Sequence, residues 1–358
     1  MKLITVNVAT RTAGSLASLS AARPGVMDVV AEIGTMLTRR TLLALAVGGA
    51  VGALAAGWLH RGYSRALDAA RTRIAGYRAT TITSRFGPLQ YAEAGTGVPV
   101  LMIHGSGGGF DQGLLFAAPL VELGMRVIAP SRFGYLGSAF PADASSENQA
   151  DAFVDLLDAL HVDRIAVIGG SAGALSAISF AIRHPDRCSA LIPVVPATYV
   201  PGRPSARPWS PGQQHVVEAA LGSDFLFWAA MSAMPDLMIG SVLATDPALF
   251  AAATRDERSR VQAILDSILP VSERARGLLN DMWLAGDPQP MPLEAITAPT
   301  LAISVEDDRY LTADAARHIA ASVAGARLIV YPTGGHVWIG HNAEMFNAIR
   351  DFLKETAS

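Results

Sequence analysis

The sequence predicts an α/β fold: a mostly parallel central sheet with helices on both faces, interrupted by a helical lid insertion. Three observations carry this expectation. Short apolar runs alternate with helix-period segments from about residue 77 to 196. A proline-rich stretch followed by helices replaces that alternation over 197–291, and the alternation resumes over 292–358. Alternating strands and helices close into crossover units that cover a parallel sheet on both faces. An insertion between two such strands must sit at one end of the sheet.

Taken in order, residues 1–35 carry no clear period and end beside Met36, so they read as an unstructured extension or as a stretch ahead of a misassigned start. Residues 36–60 contain an uncharged run, 41–59 (TLLALAVGGAVGALAAGWL), whose 19 residues at ~1.5 Å rise nearly match a ~30 Å hydrocarbon core. Arg39 and Arg40 ahead of it, with Ala53-Leu54-Ala55 as a small-residue cleavage site, also resemble a twin-arginine export signal. The segment is therefore expected to be a transmembrane anchor in a bacterial inner membrane or an export signal. Arg61, Arg65, Arg71, Arg73 and Arg78 after it, against Arg23, Arg39 and Arg40 before it, favour a cytoplasmic catalytic domain, whereas the export reading favours the other side.

An Arg-rich helical link over 61–76 leads to two strands, 77–83 and 89–94, separated by the turn residues Gly87 and Pro88. Strands are then predicted at 98–103, 126–129, 164–168 and 188–195, and helices at 114–123, 147–160 and 172–184. The insertion opens with Pro196, Pro201, Pro204, Pro208 and Pro211 and continues with large apolar residues, among them Phe225, Phe227, Trp228, Met231 and Met282. Strands 300–305 and 327–331 and helices 313–323 and 344–353 complete the pattern.

Net charge of -3 leaves no basic patch large enough for a phosphate backbone, which excludes nucleic acid as a partner. The single cysteine, Cys188, excludes an intramolecular disulfide framework and, inside an apolar run, reads as a buried thiol.

The chemistry concentrates in three loops. Gly169-Gly170-Ser171-Ala172-Gly173 fits G-x-S-x-G between a predicted strand and a predicted helix, where a sharp turn presents a serine hydroxyl at the sheet's carboxyl end. A serine is a poor nucleophile at its own pKa and needs a base. Among eight histidines, His336 stands in a glycine loop after the last strand; His341 is its rival, set closer to the final helix. An acyl transfer also needs donors aimed at the developing oxyanion. His104-Gly105-Ser106-Gly107-Gly108-Gly109 follows the first core strand, and the amides of Ser106 and Ala172 are assigned as those donors. These glycines complete neither G-x-x-x-x-G-K-[ST] nor G-x-G-x-x-G, so a phosphate loop does not fit. No H-E-x-x-H or other metal cluster and no cofactor fingerprint is present, so water is the expected co-reactant.

Together with Ser131-Arg132-Phe133-Gly134-Tyr135-Leu136-Gly137-Ser138 and an acid after Val305, these motifs resemble the α/β-hydrolase superfamily in its chain order of Ser, acid, His, over about residues 77–353. Ser131 stands where the family often has Asp, and Val305 where it usually has Gly. Counting from Val305, and back from Thr312 read as the N-cap of a helix starting at Ala313, the resemblance points to Asp308 as the acid, with Asp307 as the alternative. It implies a triad of Ser171, Asp308 and His336 and an esterase acting on a small apolar acyl substrate through an acyl-enzyme. Because His104 to Gly109 also resembles the oxyanion loop of hydrolases that split carbon-carbon bonds of ring-cleavage products, that chemistry, or cofactor-free peroxidase chemistry, is the alternative. A non-catalytic ligand-binding relative is the third reading.

Overall fold

The computed structural model describes residues 56–204 and 211–356. Residues 1–35 and 41–55 of the apolar run lie outside the described residues. Among the described residues no helix is long and apolar enough to cross a membrane. The chain divides after Gly62: residues 56–62 are helical, and the larger unit, Tyr63–Ser358, opens with helical residues 63–76, here α1.

The larger unit is built on an eight-stranded sheet in the order β1-β2-β4-β3-β5-β6-β7-β8. β1 (Thr80–Ser84), β2 (Gly87–Ala94) and β4 (Arg126–Pro130) pair antiparallel through β2. β3 (Pro99–Ile103), β5 (Ile165–Gly170), β6 (Cys188–Val194), β7 (Leu301–Val305) and β8 (Arg327–Tyr331) continue from β4 in parallel. Every residue of β5 and β7 is buried, as required of central strands covered on both faces. One face of the sheet packs on Phe153, Leu156, Leu157, Ile178 and Phe180 from α3 (Ser146–Ala159) and α4 (Gly173–Arg183). The other packs on Phe110, Leu114 and Leu120 from α2 (Phe110–Glu122) and Phe346, Ile349 and Phe352 from the last helix, Asn342–Thr356.

Between β6 and β7 the described chain forms six α-helices: α5 (Pro211–Leu221), α6 (Asp224–Ala233), α7 (Pro235–Ser241), α8 (Pro247–Ala252), α9 (Arg255–Asp266) and α10 (Ala275–Gly286). Side-chain caps from Ser223, Asp246 and Thr254 start α6, α8 and α9. The insertion has its own core of Met238, Leu243, Val261, Ile264 and Leu265, which Tyr135 from the β4 loop and Val337 and Ile339 complete from below. Helix α11 (Thr312–Ser322) and α12 (Asn342–Thr356) follow β7 and β8.

Two local expectations are corrected. The hairpin turn falls on Arg85 and Phe86, because Ser84 Oγ donates to the Gly87 carbonyl at 2.7 Å and accepts from the Phe86 N–H at 3.2 Å; Gly87 and Pro88 pair in the ladder with Ser84 and Thr83. Thr312 does not cap α11. Leu311 occupies that position at φ 56°, and the Thr312 hydroxyl turns to Asp308 instead.

Helix α1 is packed into the larger unit. Ala70 is buried, and Arg73 Nη2 donates to the Leu269 carbonyl at 2.8 Å and lies 3.6 Å from Asp111. Removing a hydrogen bond of this charged type costs about 1.5–3 kcal/mol. Arg73→Ala is expected to lower unfolding free energy by about that amount in urea melts, with the midpoint falling and the slope unchanged; an unaltered midpoint would show that α1 is merely appended.

Candidate active site

The turn between β5 and α4 holds Ser171 at φ 52°, a left-handed conformation unusual outside glycine. It is held by flanking contacts: Ser171 N–H donates to the Val194 carbonyl at 2.9 Å, and the Ser171 carbonyl accepts from Ala174 N–H at 3.0 Å. Gly173 has no alternative residue, since a Cβ there would collide with the His104 carbonyl oxygen and approach that of Ile103 to 2.7 Å. The helix thereby packs directly against the end of β3.

His336 follows β8 on a loop in which Gly334 and Gly335 take φ 138° and 63°. Its Nε2 lies 3.0 Å from Ser171 Oγ, and its Nδ1 lies 2.8 Å from Asp308 Oδ2. Asp308 is 1% exposed and accepts further hydrogen bonds from Thr312 Oγ1 and, at 2.9 Å, from Tyr310 N–H. Burial pushes its pKa up, but the His336 charge and the hydrogen bonds from His336, Thr312 and Tyr310 outweigh it, and the carboxyl titrates below its ordinary range. Of the neighbouring acids, Asp307 accepts the Gly335 N–H at 2.8 Å and the Gly334 N–H at 3.3 Å, holding the histidine loop, and Glu306 pairs with Arg317. The rival His341 stacks on Tyr331 at 4.2 Å and pairs with Glu344. The structure thus brings Ser171, His336 and Asp308 into one hydrogen-bonded chain and leaves Asp307 beside it.

Gly105 and Ser106 face the same space: a Cβ on Gly105 would stand 3.0 Å from Ser171 Cβ. Among the described residues neither the Ser106 nor the Ala172 amide is committed to a protein acceptor. His104 is fully buried, donating Nδ1–H to the Gly105 carbonyl at 2.7 Å and accepting the Arg132 N–H on Nε2 at 2.9 Å. Burial, then the Arg132 charge, drive its pKa well below the usual value, so it stays neutral and braces the loop. Gly108 is packed against the His104 ring, and Gly107, at φ 78°, against Ile268.

A cavity of about 750 Å³ opens over Ser171 and His336 between the sheet edge and the insertion. Its walls are mainly apolar, including Phe116, Phe227, Ile264, Ile268, Met282 and Trp338. Among the described lining residues the cationic groups are Arg203 and, when protonated, His336; Arg203 is engaged by the Leu311 carbonyl at 2.6 Å and Asp314 at 3.4 Å. Sequence reasoning named Arg132 only within the Ser131–Ser138 motif and missed its part in docking the insertion, together with Asp281, Arg274 and Asp111. Its one available signal was Asp281, a charge beside the apolar Met282 and Trp283.

A family profile described as alpha/beta hydrolase fold matches residues 98–340. A 2-hydroxy-6-oxononadienedioate/2-hydroxy-6-oxononatrienedioate hydrolase of Paraburkholderia xenovorans is 32% identical over 279 residues, 74% of this chain and 90% of its own length. Among solved structures, an alpha/beta hydrolase fold protein from Nakamurella multipartita superposes with a TM-score of 0.60 at 26% identity, covering 78% of this chain and 100% of its own. The enol-lactonase from Burkholderia xenovorans superposes at 0.58 with 20% identity, over 77% of this chain and 100% of its own.

Because the Asp308 pKa is depressed on folding, its ionisation adds stability that is present above the unfolded value of ~3.9 and is lost as pH falls through the folded value. Urea melts of Asp308→Asn between pH 6 and 2 are expected to show a shallower acid decline than the parent chain. An identical decline would mean that the carboxylate gains nothing from its partners.

Proposed function

The chain belongs to the α/β-hydrolase fold family, and on that premise we propose that it is a serine hydrolase of apolar carboxylic esters, working through an acyl-enzyme on Ser171. The observation that carries this reading is the chain Ser171 Oγ, His336 Nε2, His336 Nδ1, Asp308 Oδ2, with links of 3.0 and 2.8 Å, at the floor of an apolar cavity. As Ser171 Oγ attacks the acyl carbon, His336 Nε2 takes its proton, and Asp308 holds the ring in the required tautomer and stabilises the imidazolium. The carbonyl oxygen becomes an oxyanion between the Ser106 and Ala172 amides, the latter at the start of α4 where the helix dipole favours negative charge. His336 then protonates the departing alcohol oxygen, and a water deprotonated by the same nitrogen hydrolyses the acyl-enzyme. The helical insertion serves as the lid, its apolar wall taking the acyl chain.

The second reading is carbon-carbon bond hydrolysis, favoured by the 32% identical relative. That relative's name denotes a dicarboxylate, whereas among the described lining residues the permanently charged cation is Arg203, which is already paired. This difference favours the ester.

The uncharged run 41–59 supports attachment of the protein to a membrane or export by a twin-arginine signal. Carbonate-washed membranes retaining the chain would support the anchor. A soluble form beginning near Arg61 would support a cleaved signal, and a soluble form retaining residues 41–59 would contradict both.

Ser171→Ala and His336→Ala should each abolish hydrolysis of p-nitrophenyl esters, leaving at most ~10³ to 10⁴-fold over water from binding and the oxyanion hole. Asp308→Asn should cut kcat by about 10³ to 10⁴-fold and Asp307→Asn far less; the reverse order would move the acid to Asp307. A series of acyl lengths read against a 2-hydroxy-6-oxo-dienoate should show kcat/KM rising with apolar chain length and no turnover of the dienoate. Preference for the dienoate would replace the ester reading.

A further inference from the structure

The lid and the oxyanion loop are joined by buried polar contacts that the ester mechanism does not itself require. Asp281, on lid helix α10, is 2% exposed, and both its oxygens are occupied by the core: Oδ1 accepts from Arg132 Nη1 at 2.6 Å, and Oδ2 accepts from Arg132 Nη2 and from the Tyr135 hydroxyl, each at 2.5 Å. The contacts do not end there. Arg132 Nε donates to the His104 carbonyl at 2.9 Å, and the Tyr135 hydroxyl accepts the Gly107 N–H at 3.3 Å. His104 and Gly107 bracket Gly105 and Ser106, so one lid carboxylate grips both ends of the segment that carries the proposed oxyanion donor. Burial, with Asp281 alongside, holds the Tyr135 pKa well above its ordinary value, which keeps the hydroxyl a donor.

The surrounding packing is shaped to this arrangement. A Cβ on Gly277, one turn before Asp281 on α10, would overlap the Tyr135 ring, so the helix lies directly on that ring. Backbone bonds from Leu136 N–H to the Glu273 carbonyl at 2.9 Å and from Gly277 N–H to the Gly134 carbonyl at 3.1 Å fix the same two segments together.

We propose that Asp281 is a positioning residue for the oxyanion hole: through Arg132 and Tyr135 it sets the Gly105-Ser106 backbone, so the docked lid contributes to transition-state stabilisation as well as to substrate fit. The proposal rests on the ester-hydrolase reading. Asp281 borders the cavity but bonds to Arg132 and Tyr135, not to Ser171 or His336. An oxyanion donor lost outright costs about 10²–10³-fold in kcat, and one displaced by loss of its brace should cost a part of that.

Two variants of the full chain test it. Tyr135→Phe removes only the hydroxyl between Asp281 and Gly107. Arg132→Met with Asp281→Leu removes both charges together, so that neither is left buried and unpaired. Each is assayed with a p-nitrophenyl ester, per active site titrated with a fluorophosphonate, and with two inhibitors. An aryl trifluoromethyl ketone forms a hemiketal with Ser171 and places an oxyanion in the hole; a long-chain alcohol fills the cavity without one. The expected result is a fall in kcat of about 10-fold or more with KM within twofold, the ketone weakened by the same factor and the alcohol unchanged. Unchanged kcat and ketone affinity in Tyr135→Phe would overturn the proposal. So would a kcat loss in which alcohol and ketone weaken together, the signature of general lid damage. A parent chain that neither labels nor binds the ketone would overturn the ester-hydrolase reading itself, a result visible before any variant is made.

Discussion

The structure depends first on the turn that holds Ser171 in a left-handed conformation at the end of β5. That geometry costs a non-glycine residue about 1–2 kcal/mol, and only the packing around it keeps it in place. Gly173 lets α4 approach the His104 and Ile103 carbonyls, which sets β3 and its following loop against the serine. From that one contact come the position of the His104–Gly109 loop, the orientation of the helix N-terminus and the presentation of the hydroxyl to His336 after β8.

The second constraint is electrostatic. Arg132 with Asp281, and Arg274 with Asp111, are ion pairs buried between the insertion and the core, the second pair with both side chains fully excluded from solvent. Pairs of this kind add little net stability relative to apolar packing, because desolvation offsets the attraction, but breaking one by removing a single partner costs about 3–5 kcal/mol. Arg274 also reaches the Gly108 carbonyl. These contacts join the insertion to the core at Arg132, Asp111 and the Gly108 carbonyl. They place the apolar walls of the cavity over the serine.

Much of the site was legible because its signals are local. A serine between glycines, after an apolar strand and before a helix, reports its own turn, and a histidine in a glycine loop after the last strand reports its place at the sheet's carboxyl edge. Counting from Val305 and Thr312 reaches Asp308, but it reads Thr312 as a cap, whereas the Thr312 hydroxyl serves the Asp308 carboxylate. Spacing locates a residue without revealing where its hydroxyl points. The docking pairs left no such trace. Arg132 and Asp281 stand 149 positions apart, and Arg274 and Asp111 stand 163 apart, so nothing periodic links them. Gly87-Pro88 points to the wrong place for the hairpin turn, since the Ser84 side chain closes the turn two residues earlier than that pair suggests.

In the proposed mechanism Ser171 forms the covalent intermediate while His336 activates it. The most direct measurement is treatment of the full chain with a long-chain alkyl fluorophosphonate, followed by peptide mapping by mass spectrometry and assay of residual ester hydrolysis. One phosphonyl group per chain is expected, on Ser171, with loss of hydrolysis in proportion to labelling and no label on the His336→Ala chain over the same interval. Labelling at another residue, or hydrolysis that persists in fully labelled protein, would contradict this mechanism.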